Sequence, residues 1–270
     1  MVPLLWLPWL SACSAPRFVA PPGDLRSPTL AGCTWAQTDA FGDAERWSYD
    51  DEGRLVEHLD EADGWRATLR WEGACLLEQD WISLAEGGPA QAPDGGYTGQ
   101  RTDCDERGNP VWRDDVLQTP SGSEFVIASR SFVNDYQGAE RVASVERWSE
   151  SSSGDADLLD VTEYVWLDDQ QPLQVRVSRP GATTVTTRYW WDHQLLLGAS
   201  VSGGGLELEL ARTYDHRRLV TEVLMSGESE LGATSWAYAE GEGFPNTVRQ
   251  TGDRPGTYDV SVSCGAAGGG

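Results

Sequence analysis

Two Asp-His dipeptides, Asp192-His193 and Asp215-His216, stand 23 residues apart at equivalent turns of successive strand-like units. Brought side by side they would offer two imidazoles and two carboxylates to a transition metal. Polar turns favour the same residue types for local reasons, so an exposed turn accounts for them without a metal. Asp103, Asp105 and Asp114 reproduce part of a calcium-loop spacing, but Arg107 stands where an oxygen ligand belongs. The five cysteines form no CxxC pair and have no histidine at zinc-ligand spacing. The motifs G-x-S-x-G, G-x-G-x-x-G and H-E-x-x-H are all missing. All 20 basic residues are arginine, which excludes P-loop, Schiff-base and Ser-x-x-Lys chemistry. Among 43 acidic residues a glycosidase-like carboxylate pair can be drawn in dozens of ways, so no pair is singled out. The chain is expected to be non-catalytic and to carry no cofactor.

The elements that would position any site are strands. From Thr34 to Ser263 apolar runs alternate with polar turns, and no stretch keeps a 3.6-residue period long enough for a helix. With 39% hydrophobic and 10% aromatic residues the chain can build a core. Arg46–Glu57 is the clearest hairpin: Trp47 and Tyr49 share one face, and Asp50-Asp51-Glu52-Gly53 makes the turn. The aromatic before the acidic turn recurs at Tyr49, Trp71, Trp166, Trp191, Tyr214 and Tyr238, with later spacings of 25, 23 and 24 residues. Insertions at 85–98 and 149–157 blur the register between Trp71 and Trp166, where about four units of that length would fit. The expected fold is all-β: tandem antiparallel β-hairpin repeats forming one long, twisted and curled sheet over residues 32–264. The pairs Trp47/Tyr49, Tyr164/Trp166, Tyr189/Trp191 and Trp236/Tyr238 would line one aromatic face. That face is either the packed inside of the curl or a groove for sugars or an acyl chain.

Tyr49-Asp50-Asp51-Glu52-Gly53-Arg54-Leu55 resembles the Tyr-Asp-x-x-Gly-Arg-Leu motif of Rhs/YD repeats, and Cys104-Asp105-Glu106-Arg107-Gly108-Asn109 resembles its Asp-x-x-Gly-Asn variant. Tyr214-Asp215-His216-Arg217-Arg218-Leu219 keeps the ends of the motif and loses its glycine. In large members of that family such repeats build a spiralling shell around a toxin. This chain is short for a shell, so the resemblance implies the hairpin repeat and not toxin delivery.

Residues 1–12 form an uncharged apolar run too short to span a bilayer, and they read as a signal peptide. Leu10-Ser11-Ala12-Cys13 resembles the lipobox of bacterial lipoproteins, which makes Cys13 the lipidated residue and places the protein in the envelope, at the outer membrane. Residues 13–31 read as a Pro-rich tether and 265–270 as a disordered Gly-rich tail. The remaining four cysteines, behind an export signal, suggest disulfides. Cys75–Cys104 would staple the intervening Gly/Pro-rich loop, leaving Cys33–Cys264 to tie the first strand to the last.

A net charge of −23 excludes nucleic acid as a partner. The residues thus point to a membrane-tethered scaffold or binding module contacting an unknown protein or glycan. Its alternatives are a carrier holding a lipid or apolar ligand, and an envelope hydrolase. Replacing Cys13 with Ala should move the protein from the membrane to the soluble fraction; unchanged palmitate labelling would overturn the lipobox reading.

Overall fold

The computed structural model describes residues 24–93, 96–137, 141–150, 156–167, 171–193, 195–238, 244–252 and 255–264. The signal peptide, Cys13 and the Gly-rich tail lie outside them.

Eighteen strands form one sheet. In chain order they begin β1 (Cys33–Thr38), β2 (Ala44–Tyr49), β3 (Leu55–Asp60), β4 (Trp65–Glu72), β5 (Cys75–Ser83) and β6 (Gly99–Cys104). The middle third is β7 (Pro110–Gln118), β8 (Glu124–Gln137), β9 (Arg141–Glu150), β10 (Ala156–Trp166), β11 (Pro172–Ser178) and β12 (Val185–Asp192). The last six are β13 (Leu195–Gly203), β14 (Leu206–Asp215), β15 (Arg218–Ser226), β16 (Ser229–Ala237), β17 (Thr247–Gln250) and β18 (Gly256–Cys264). Each strand pairs antiparallel with the next, and β18 pairs antiparallel with β1, from Cys33 opposite Cys264 to Thr38 opposite Asp259. The expected open, curled sheet is therefore corrected: the sheet closes into an 18-stranded up-and-down barrel.

The physical cause of closure lies at one end of the hairpins. In seven of them the register slips just before the aromatic marker, between Ser48/Tyr49, Arg70/Trp71, Asp103/Cys104, Asp135/Tyr136, Val165/Trp166, Trp190/Trp191 and Thr213/Tyr214. A β-bulge bends and twists its strand. Repeated at one level around the sheet, it adds the same increment of curvature each time until the edges meet. The slip also aims the marker at the preceding hairpin. Trp71, Trp166 and Trp191 donate their indole N–H to the carbonyls of Leu55 (2.8 Å), Val142 (2.9 Å) and Pro172 (2.9 Å). Tyr214 and Tyr238 donate their hydroxyls to Leu196 (2.9 Å) and Leu219 (2.5 Å), and Tyr49 reaches Asp24 at 3.3 Å.

Two units depart from this rule. In β6 the marker is Cys104, and a disulfide to Cys75 replaces the hydrogen bond. In β8 the marker is Tyr136, whose hydroxyl donates to the Asp105 carboxylate, while Asn134 takes the Pro110 carbonyl at 2.9 Å. Cys104 and Tyr136 thus mark the units hidden between Trp71 and Trp166, two where the spacing called for more. The second disulfide, Cys33–Cys264, joins β1 to β18 where the other pairs at this end are consecutive in the chain. In a chain-entropy account, a cross-link closing 231 residues contributes about 5 kcal/mol.

Alternating burial separates the two faces of the sheet, and in a closed ring the less exposed face is the lumenal one. A main cluster packs Trp35, Trp47, Tyr49, Leu55, Leu69, Trp81, Leu219, Trp236 and Val248. Residues 24–32 run into this cluster, with Leu30 fully buried, and backbone bonds tie Ser27 to Gly53 and Gly32 to Asp50. Gly53 is required there: its φ is +72°, and a Cβ would lie 2.6 Å from the Ser27 carbonyl. A smaller cluster holds Val175, Tyr189, Leu196 and Ala199.

Trp191→Phe deletes one rung of this ladder and leaves the Pro172 carbonyl without that donor. It should lower stability by about 1 kcal/mol in urea unfolding, and an unchanged midpoint would show that the indole bond contributes nothing.

Candidate functional site

The exterior of the barrel is mostly polar. Outward positions include Thr34, Ser48, Arg70, Glu78, Arg188, Glu207 and Ser261, with cross-strand ion pairs such as Arg70–Glu78 at 2.5 Å. A barrel that crosses a bilayer with its strands needs an outward apolar band, and this face does not supply one. Two regions depart from the polar rule: β8, where Phe125, Val126, Ile127 and Val133 are exposed, and the strands that follow β9. Val165 on β10, Leu167 after it, Leu173 on β11, Trp190 on β12 and Leu197 on β13 are 49%, 53%, 39%, 46% and 41% exposed. These strands are consecutive, and Trp190 faces Gly198, where a Cβ would stand 3.6 Å from its ring. Trp190 therefore lies over the side-chain-free Gly198 of β13. Beside Val165, a shallow depression of about 310 Å³ is lined by Asp135, Ala143, Ser144, Glu163, Tyr164, Gln174 and Arg176.

The sequence-predicted aromatic pairs all turn the other way. Trp47, Tyr49, Tyr189 and Trp236 are buried; Tyr164, Trp166, Trp191 and Tyr238 are half-buried on the same lumenal face. Tyr164 stacks on Trp166, centroids 5.6 Å apart, and Tyr189 lies 6.4 Å from Trp191. Burial pushes the phenols of Tyr164 and Tyr189 above their ordinary range, so both stay neutral at physiological pH.

Asp192-His193 and Asp215-His216 sit at exposed hairpin tips. His193 and His216 have φ of +54° and +50°, the left-handed conformation that glycine fills in the better-preserved turns. His216 Nδ1 is 2.7 Å from Asp215, whose carboxyl is held below its usual value by His216 and then Arg218. Among the described residues no group of three or more His, Cys, Asp or Glu could hold a metal ion.

Asp105 is likewise a turn residue. Its carboxylate accepts the amides of Arg107 (2.9 Å) and Asn109 (3.0 Å) as well as the Tyr136 hydroxyl. Burial works to raise this carboxyl, but those hydrogen bonds and the charge of Arg107 hold it below the usual value.

The histidine that the sequence did not single out is the one inside. His58 stacks on Trp47 (4.9 Å), meets Trp65 edge-on (4.8 Å) and bonds Glu45 at 2.9 Å. A His-Glu pair can relay a proton, but the groups around it are aromatic rings rather than a nucleophile.

No family model matches the chain, and no curated protein matches it. Among solved structures it is similar to a porin-like protein from Bacteroides vulgatus (TM-score 0.41, 13% identity, covering 76% of this chain and 98% of that one). It is also similar to a porin-like protein from Bacteroides uniformis (TM-score 0.40, 7% identity, 89% and 99% covered). A TcdB2-TccC3-Cdc42 structure aligns with 85% of this chain over 15% of its own length, at TM-score 0.21 and 13% identity. At these scores the likenesses assign neither a family nor an activity. The resemblance to Rhs/YD repeats is accordingly corrected: no family model supports it, and the hairpins close into a ring instead of continuing as a spiral.

Because the folded Asp105 carboxyl titrates below its unfolded value of about 3.9, the stability it contributes is present above that pH and lost as pH falls through the lower folded value. Asp105→Asn should therefore destabilise the protein at neutral pH, with the difference from the parent shrinking as pH falls below about 4. Urea midpoints across that range test this, and a pH-independent difference would rule it out.

Proposed function

We propose that the chain is an envelope-anchored, non-catalytic barrel that presents the apolar patch on β10–β13 to a protein partner. The observation that carries this reading is the placing of Val165, Leu167, Leu173, Trp190 and Leu197 together on the outside of four consecutive strands. Contiguous exposed apolar area rimmed by charge marks contact surfaces, and a central tryptophan is a common energetic anchor. A protein fits better than a glycan. The recurring aromatic pairs point into the lumen, which leaves Trp190 with aliphatic neighbours rather than other rings to form a sugar platform. Glu163 and Arg176 beside the patch supply a charged rim of mixed sign.

The anchor is Cys13, carried over from the lipobox-like Leu10-Ser11-Ala12-Cys13. A barrel with a polar wall needs such a device to stay at a membrane, since its strands offer lipid nothing to bury against. The chemistry is binding rather than turnover: the buried phenols are held neutral, and the Asp-His turns are solvent-exposed.

A photo-crosslinking residue at Trp190 of the anchored full-length protein should capture one discrete protein, while the same residue at the outward Arg70 should not. The captured protein, once purified, should bind Trp190→Ala at least about tenfold more weakly than the parent. Equal capture at both positions, or unchanged affinity, would defeat the proposal.

A further inference from the structure

The lumen between β6 and β10 is polar, and its charges do not balance. Arg113 on β7 stands directly opposite Arg130 on β8, and like charges in that position repel. Arg147 on β9 stands opposite Phe132, two residues beyond Arg130 on the same face. Phe132 lies under Arg113, guanidinium to centroid 5.6 Å, so three guanidiniums gather about one ring. Two buried carboxylates accompany them, and each is bonded to one of the other two arginines. Asp115 accepts Arg130 at 2.8 Å and Gln100 at 3.0 Å. Asp160 is bonded by Arg147 and approached by Arg179 at 3.9 Å.

Arg113 is left over. Among the described residues no hydrogen bond or ion pair is formed by its guanidinium, and its Nε is buried without an acceptor. Its surroundings are Phe132, the cross-strand Thr102 and the neighbouring Tyr97. Burial first, and then the charge of Arg130, work against its protonated form and outweigh the opposing charge of Asp115, which is bonded to Arg130 and not to Arg113. A guanidinium cannot relieve this by losing its proton, because its pKa stays far above neutrality. Arg130 and Arg147 keep 27% and 38% of their side-chain surface accessible, so solutes in the lumen can reach the group.

We propose that Arg113, together with the outer edges of Arg130 and Arg147, forms a lumenal binding site for an oxyanion, the phosphoryl, sulfate or carboxylate group of a ligand that enters the barrel. A planar guanidinium fork with unused donors matches a two-oxygen acceptor, and the paired arginines supply the surrounding positive potential. The aromatic faces of Phe132 and Tyr97 provide an apolar wall for the remainder of such a ligand. The overall charge of −23 makes attraction of anions a local property of this site, not of the whole surface.

Thermal unfolding and calorimetry of the full barrel with inorganic phosphate, phenyl phosphate, sulfate and phenylacetate, at ionic strength matched with sodium chloride, test the site. At least one probe should raise the melting temperature saturably, and which of them does so identifies the oxyanion. Arg113→Met should abolish that response, and Arg113→Lys should weaken it at least about tenfold by losing the fork. Without a probe, Arg113→Met should be no less stable than the parent, because it removes a repelling charge. No saturable response, a response reproduced by chloride, a response retained in Arg113→Met, or a marked destabilisation of probe-free Arg113→Met would each overturn the proposal, the last by making Arg113 a structural residue.

Discussion

The barrel depends on a side chain that reaches backwards. From Trp71 to Tyr238 the marker residue bonds the hairpin before it, and in all but Tyr238 a bulge that aims it also bends the sheet. Hydrogen bonds from indole and phenol groups, a disulfide at Cys104 and a carboxylate contact at Tyr136 serve one geometrical purpose. Any one rung is worth about 1 kcal/mol, but their common level around the rim makes curvature cumulative. Closure follows from repetition, not from a single strong contact. It also removes both edges of a long antiparallel sheet, which would otherwise invite pairing with other chains.

Inside and outside then divide the work. Large rings fill the lumen beside the incoming segment 24–32, while the outer wall carries Thr, Ser, Arg and Glu. That distribution suits a barrel standing in water. The apolar residues outside and the under-neutralised arginine group inside lie on β6 to β13, eight of the eighteen strands. The rest of the ring holds the main packed cluster and the Cys33–Cys264 disulfide, and Cys75–Cys104 stands at the border between the two.

Much of this was legible in the residues. Strand type, the hairpin period and the inward aromatic pairs follow from alternation and spacing, since side-chain period two survives loss of the turn glycine. Ring closure was not legible, because a bulge leaves no mark on composition and changes only the register of pairing. Tyr136 escaped notice because β8 is 14 residues long, which displaces its marker from the shorter period. His58 escaped because its place opposite Trp47 follows only when the slip at Ser48/Tyr49 is counted. The lumenal arginines sit on three separate strands, and nothing in spacing along the chain joins Arg113 to Arg147.

The disulfide between Cys33 and Cys264 has a consequence in time as well as in space. Pairings between consecutive strands are local and form early, whereas β1 must wait for β18, the last strand to be synthesised. Until then the sheet has two free edges, and the thiols that seal them stay reduced in the cytosol. The lock can be set only in an oxidising compartment. The backbone ladder between β1 and β18 can pair without it, so oxidation fixes a ring that hydrogen bonding has already drawn shut.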